Sequence, residues 1–245
     1  MLEKAALEIG RWQGKIFAAP EPEQKIFNQI KNLSDPGFLK RNFEQWHTQS
    51  MSYEYIISDD CKLPEHINKY YAENKEQINH GKSIEYNILR AEICDIPRHL
   101  KQMLFDVDER QNAIFENFKC LPVVLCQRDY WIENIFYDNG NIIVIDWDTA
   151  GWGYLGEDIA QLVFDDIDDK YFNEYLDRLV PCYYKGFTEF AGITDEDIKN
   201  SKAAIRDFIL IAYGYRMAQR HMFTENAEEK AQAEKEMQNI YGLRL

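Results

Sequence analysis

Apolar residues recur at helical spacing through most of the chain. Ala5, Ala6, Ile9, Trp12 and Ile16 fall on one face of a helix over 2–17, which Ala19-Pro20-Glu21-Pro22 ends. The same spacing predicts helices at 23–33, 38–50, 64–81, 83–104 and 108–118, and again at 157–164, 170–190 and 195–223. Thr194 with Asp197 three residues on forms an N-terminal cap for the last of these, and a tail rich in Glu, Ala and Lys follows. Between the two helical halves the pattern changes. Short apolar runs at 123–126, 135–137 and 142–145 read as strands. Asn139-Gly140 between two of them supplies the positive φ angles of a two-residue hairpin turn. No internal repeat or low-complexity linker is present.

That turn sets a register. Tyr137 faces Ile142, Ile135 faces Val144 and Asn134 faces Ile145. Directly opposed residues lie about 4.5–5.5 Å apart, measured between α-carbons. Asn134 therefore begins one strand beside the point where Asp146 ends the other. Asp129 lies in the turn entering the hairpin, five residues before Asn134. Asp148 follows Asp146 by two residues, on the same side if the chain stays extended.

Charge sharpens this picture. The 245 residues carry 28 Lys+Arg against 42 Asp+Glu, a formal charge of −14. Between Arg128 and Lys170 there is no Lys or Arg at all, and eleven acids. So acidic a chain lacks the basic footprint that nucleic acid requires. No segment is apolar enough to span a bilayer, so no membrane association is expected. The five cysteines are widely spaced with no CxxC, as expected of reduced thiols in a cytoplasmic protein. The five histidines lack metal-ligand spacing. Gly151-Trp152-Gly153-Tyr154-Leu155-Gly156 matches a dinucleotide fingerprint, but no second parallel strand follows, so the segment reads as a turn leading to the helix at Asp158. Asp158 itself reads as an anchor at that helix N-terminus.

Three oxygen-bearing side chains at one end of a hairpin suit Mg²⁺, which takes one or two carboxylates and completes its shell with water and phosphate oxygens. A nearby acid that is not a ligand can accept the proton of an attacking hydroxyl, the arrangement phosphoryl transfer uses.

Gln127-Arg128-Asp129-Tyr130-Trp131-Ile132-Glu133-Asn134 resembles the catalytic loop of aminoglycoside phosphotransferases and choline kinase-like enzymes, whose usual form is His-Gly-Asp, four residues, Asn. Ile145-Asp146-Trp147-Asp148, then Gly151, Gly153 and Asp158-Ile159-Ala160, resembles the second block of that family. Ala5-Ala6 with Gly10-Arg11-Trp12-Gln13-Gly14 is similar to the first helix of its large lobe. The resemblance implies an α+β, mainly helical fold: the C-terminal (large) lobe of a protein kinase-like fold, over residues 1–245, with a small β-hairpin carrying the catalytic loop. It implies Asp129 as catalytic base, Asn134 and Asp146 as magnesium ligands, Asp148 in support, and Arg128 and Asp158 as props of the catalytic loop.

Two departures stand out. Gln127-Arg128 replaces His-Gly, with Arg128 placed to pair with Asp129. The family's β-rich nucleotide lobe, of about a hundred residues, is expected to be absent from this chain. The implied cofactors are Mg²⁺ and ATP or GTP. The implied partner is a small hydroxylated molecule, cationic in view of the acidic surroundings, with Asp165, Asp166, Asp168 and Asp169 as candidate substrate contacts. The expected function is phosphate transfer to that hydroxyl. The alternatives are a non-catalytic pseudoenzyme or isolated substrate-binding lobe and, third, a metal-dependent hydrolase using the same acids.

Overall fold

The computed structural model describes residues 1–20, 35–49, 98–164, 171–224 and 226–242, with the isolated residues 69, 72 and 73. The helices expected at 23–33, at 64–81 apart from those isolated residues, and over the first part of 83–104 lie outside the described residues. The chain divides into two compact units. The first takes the described residues within 1–38 and 114–209, the second those within 39–113 and 210–242.

The first unit opens with helix α1, Leu2–Ala18, as its spacing requires. Helices α2 (Phe38–Gln49) and α3 (Arg98–Phe118) follow. The sequence pattern divides α3 near 105–107, but the helix runs through. Leu104-Phe105-Asp106-Val107 contains no Gly or Pro to break it, and Val107 is fully buried. Four short strands come next: β1 (Val123–Cys126), β2 (Ile135–Asp138), β3 (Asn141–Val144) and β4 (Gly151–Tyr154). Helices α4 (Glu157–Phe164), α5 (Phe172–Thr188), α6 (Asp195–Phe223) and α7 (Ala227–Gly242) complete the described chain.

The strands form two antiparallel pairs. β2 and β3 pair in the register read from the turn, with Ile135 opposite Val144 and Tyr137 opposite Ile142. Asn139 and Gly140 both have positive φ, 47° and 87°. Strand β4 corrects the sequence reading, which made Gly151–Tyr154 a turn. It pairs with β1, Cys126 opposite Gly151 and Val124 opposite Gly153. A Cβ on Gly153 would lie 2.8 Å from the Cys126 sulfur, so the glycine is what lets the strand close on its neighbours.

Helix α1 crosses α5 with almost no space between backbones. A Cβ on Gly10 or Gly14 would run into the backbone of Tyr183 or Phe187, and one on Gly186 into that of Leu7. Behind the strands, Phe118 stacks on Phe208 with ring centroids 4.2 Å apart, and Tyr130, Leu155, Ile159 and Phe187 fill the rest of a closed core. Thr194 and Asp197 make the reciprocal cap expected for α6, the Asp197 N–H donating to Thr194 Oγ1 at 3.0 Å and the Thr194 N–H to Asp197 Oδ2 at 3.1 Å. In the second unit the His221 ring hydrogen-bonds Glu234 across α6 and α7 at 2.9 Å. Among the described residues no helix is long and apolar enough to cross a membrane.

Candidate active site

The site grows from the loop between β1 and β2. Arg128 holds a left-handed backbone at φ 66°, which a non-glycine residue keeps only when its surroundings enforce it. Asp158, fully buried in the first turn of α4, enforces it. Its Oδ2 accepts the Gln127 N–H and its Oδ1 the Arg128 N–H, each at 2.9 Å. Gln13 of α1 donates its amide Nε2 to the same Oδ2 at 2.9 Å and to the Leu125 carbonyl at 3.1 Å. Burial pushes the Asp158 carboxyl up to about 7, against the pull of the two backbone N–H donors. One carboxylate thus ties the β1–β2 loop to α4 and, through Gln13, to α1.

Arg128 supports the loop from the other side, and not as expected. Its ion pair is with Glu157 at 3.1 Å rather than with Asp129. Its guanidinium also donates to the Trp152 and Asp35 carbonyls and lies 4.4 Å from the centroid of the Phe38 ring. With this left-handed backbone the side chain reaches Glu157 at the start of α4.

Asp129 and Asn134 do converge. Asn134 donates its side-chain N–H to Asp129 Oδ2 at 2.7 Å and to the Asp129 carbonyl at 2.9 Å. Asn134 is buried and Asp129 half-buried. Because the amide nitrogen turns to Asp129, Asn134 Oδ1 faces no protein donor among the described residues. Asp146 stands at the same end of the hairpin. The Ile145 N–H donates to the Asn134 carbonyl at 3.1 Å, carrying the ladder one step past β2 and β3. Asp146 comes next, at φ 53°. Its carboxylate is exposed.

One side chain ties these segments together. Gln127 Oε1 accepts the Asp129 N–H at 2.8 Å, while Gln127 Nε2 donates to the Asp146 and Ile145 carbonyls at 2.5 and 3.1 Å. The residue that departs from the resembled pattern performs the pinning. Its signal in the sequence is a polar side chain closing an apolar strand, a signal that the hydrophobic pattern alone leaves without a role, as it does Gln13.

Asp148 corrects the expectation of an extended chain. After Asp146 the backbone turns, with the Ala150 N–H donating to the Trp147 carbonyl at 3.1 Å. Asp148 sits exposed in that turn rather than in line with Asp146. Asp165, Asp166, Asp168 and Asp169 lie outside the described residues, as do the side chains of Trp46 and His47. Among the described residues no three His, Cys, Asp or Glu side chains gather as a metal cluster. The candidate oxygen set is instead one exposed carboxylate, Asp146, and one amide oxygen, Asn134, beside Asp129. That set suits Mg²⁺, which needs few protein ligands.

A model of the phosphotransferase enzyme family matches residues 65–189, just over half of the chain and the segment from Gln127 to Asp158. The chain belongs to that family. Among solved structures, this family member is similar to a choline kinase from Cryptosporidium parvum Iowa II. The TM-score is 0.51 at 12% identity, over 98% of this chain and 64% of that one. It also matches an amicoumacin kinase in complex with AMP-PNP and Ca²⁺, at a TM-score of 0.40 and 18% identity, over 95% of this chain and 60% of that one. No curated protein matches the chain. The likeness to the choline kinase shows the fold: protein kinase-like, mainly helical with small antiparallel sheets. This phosphotransferase-family chain spans just under two thirds of that kinase's length.

The glycine-rich Gly151–Gly156 stretch has no dinucleotide role in this fold. Its strand is antiparallel to β1, where a fingerprint needs a parallel pair. Its contribution is to bring Asp158 and Glu157 to the loop between β1 and β2.

Proposed function

We propose that this chain is the large lobe of an ATP- and Mg²⁺-dependent phosphotransferase whose acceptor is the hydroxyl of a small cationic molecule, an amino-sugar or amino-alcohol. The observation that carries the reading is the 2.7 Å bond between Asn134 and Asp129 at the hairpin end where Asp146 is exposed. Asp129 orients the acceptor hydroxyl and takes its proton. The acceptor oxygen forms a bond to the terminal phosphorus of ATP or GTP as the bond to the nucleoside diphosphate breaks. A phosphate monoester and the diphosphate leave, and Asp129 returns its proton to water. Asn134 Oδ1 and Asp146 would hold the magnesium. The metal supplies neutralisation of phosphate charge. Asn134 also fixes the Asp129 carboxylate, so that the base presents its other oxygen to the acceptor. The widely spaced free thiols and the need for ATP agree with a cytoplasmic setting.

The test is phosphate transfer from radiolabelled ATP to a panel of amino-sugars, amino-alcohols and neutral sugars, with products read by mass spectrometry. It is run on the longest native reading frame. The expected result is a phosphorylated cationic acceptor, with Asp129→Asn lowering turnover by about 10²–10⁴-fold and Asp146→Ala abolishing the response to magnesium. Phosphate release with no phosphorylated acceptor would establish a hydrolase instead. Saturable acceptor binding without turnover would establish a non-catalytic lobe. Unchanged magnesium binding in Asp146→Ala would remove Asp146 from the site.

A further inference from the structure

The Gln127 amide does more than join two segments: it fixes one α-carbon. Nε2 donates to the carbonyls of Ile145 and Asp146, at 3.1 and 2.5 Å. Those carbonyls belong to the two peptide planes that flank the Asp146 α-carbon. With both planes held, neither φ nor ψ of Asp146 is free to turn. One nitrogen reaches both because Asp146 is left-handed, at φ 53°. Successive carbonyls point the same way in a helical backbone and opposite ways in an extended one. For an aspartate this conformation is strained, and it persists only where neighbours impose it.

Nothing else among the described residues aims the Asp146 side chain. It is exposed, and its carboxylate meets no protein donor there. The direction of its Cα–Cβ bond is therefore set by the backbone, and the backbone by Gln127. The other half of the same amide, Oε1, accepts the Asp129 N–H at 2.8 Å. Gln127 is itself held independently of its side chain. Its N–H donates to Asp158 Oδ2 at 2.9 Å, and its carbonyl accepts from Thr149 Oγ1 at 3.3 Å. The residue is fully buried, so water does not compete for these bonds. The side-chain type matters. A primary amide has two hydrogens on one nitrogen and an acceptor oxygen, whereas a neutral imidazole has one N–H and one acceptor nitrogen. The histidine of the resembled pattern would have one donor hydrogen fewer for the two carbonyls.

We propose that Gln127 is a positioning residue for the metal: by clamping both peptide planes of Asp146 it sets the affinity for the divalent cation, and it carries Asp129 in the same amide. The inference rests on the reading of Asp146 as a magnesium ligand.

The probe is Mn²⁺ alone, titrated into the full chain with the free ion read by electron paramagnetic resonance, and Asp146→Ala is the reference. Gln127→Met, of similar length but with no donor, is expected to weaken Mn²⁺ binding about 10–100-fold, the usual loss when a group that orients a ligand is removed. Gln127→His should fall between Gln127→Met and the native protein, and it carries the test where Gln127→Met does not fold. Ser201→Ala gives up a buried hydrogen bond in α6, to the Leu155 carbonyl at 2.6 Å, and should leave the Mn²⁺ affinity unchanged. In turnover, Gln127→Met should raise the magnesium concentration needed for half-maximal rate while the acceptor KM holds. A residue that only supported the fold would lower the active fraction and move neither constant. Native Mn²⁺ affinity in Gln127→Met, beside its loss in Asp146→Ala, would overturn the role of Gln127 and leave the metal reading standing. Mn²⁺ binding that is absent from the native chain, or unchanged in Asp146→Ala, would overturn both.

Discussion

A single carboxylate anchors the loop between β1 and β2. Asp158 accepts three N–H donors, two from a backbone segment that includes a left-handed arginine and one from the Gln13 amide. An asparagine at this position offers one oxygen where the loop needs two, so one N–H meets an NH₂ group. Asp158→Asn should therefore cost about 1–3 kcal/mol, the loss of a buried acceptor, read as a shift in urea midpoint. Its pH dependence is a sharper test. The folded carboxyl sits at about 7, raised by burial above its ordinary value near 3.8. Between those two values the folded state binds the proton more tightly than the unfolded chain does. The group's contribution is complete below about 4 and is lost as pH rises through about 7. The asparagine variant has no such dependence, so its deficit against the native protein should shrink from pH 5 to pH 8. A deficit that grows over that range would mean that the N–H donors outweigh burial and that the carboxylate is held charged.

Among the elements, the α1–α5 crossing is the most exacting. Gly10, Gly14 and Gly186 let two helices touch backbone to backbone, and α1 carries Gln13 into contact with Asp158. Gly14→Ala should destabilise by about 1–3 kcal/mol or more, the cost of forcing volume into a closed contact. Gly140→Ala, at the hairpin tip with no atom within 4 Å and φ 87°, should cost only about 1 kcal/mol, the strain of a left-handed residue. Thermal melts of the two variants give the comparison. A Gly14→Ala protein that melts with the native one would show that the helices separate freely. The elements also mark how far the sequence can be read. The hairpin is legible because Asn139-Gly140 dictates both turn and register, and in that register Asp146 follows directly on the residue whose N–H bonds the Asn134 carbonyl. Asp158 is legible because it stands close behind a glycine at a helix start. Strand β4 is not, because alternating glycine and aromatic residues carry no clear strand propensity; it forms because β1 needs a partner without a side chain at Gly153. Gln13 is not legible either. Its partner lies 145 residues away, and nothing local in a helix distinguishes an inward glutamine from a solvated one. The reorientation of Arg128 follows from a backbone angle that no residue type announces.

For the molecule as a whole, the governing quantity is charge and where it lies. The 129–169 segment contributes eleven acids and no base to a net charge of −14, so most of the imbalance falls in the one stretch of sequence that contains the proposed base. Some of those acids are spent internally: Asp158 is buried and Glu157 is paired with Arg128. Glu133, Asp138, Asp146 and Asp148 remain exposed around the hairpin. A field of that kind raises the local concentration of a cationic acceptor and speeds its encounter, and salt screens it within about 8 Å at physiological strength. For a cationic amino-alcohol, kcat/KM should therefore fall several-fold between ~20 mM and ~300 mM NaCl. It should hardly change for a neutral sugar, at fixed free magnesium and saturating ATP. A coupled assay of diphosphate release measures both. Reversing one exposed acid outside the metal set, as in Asp138→Lys, should flatten the dependence for the cationic acceptor without altering that of the neutral one. Equal salt sensitivity for the two acceptors would place the effect on nucleotide or metal binding, and the acidic segment would then have no part in choosing the acceptor.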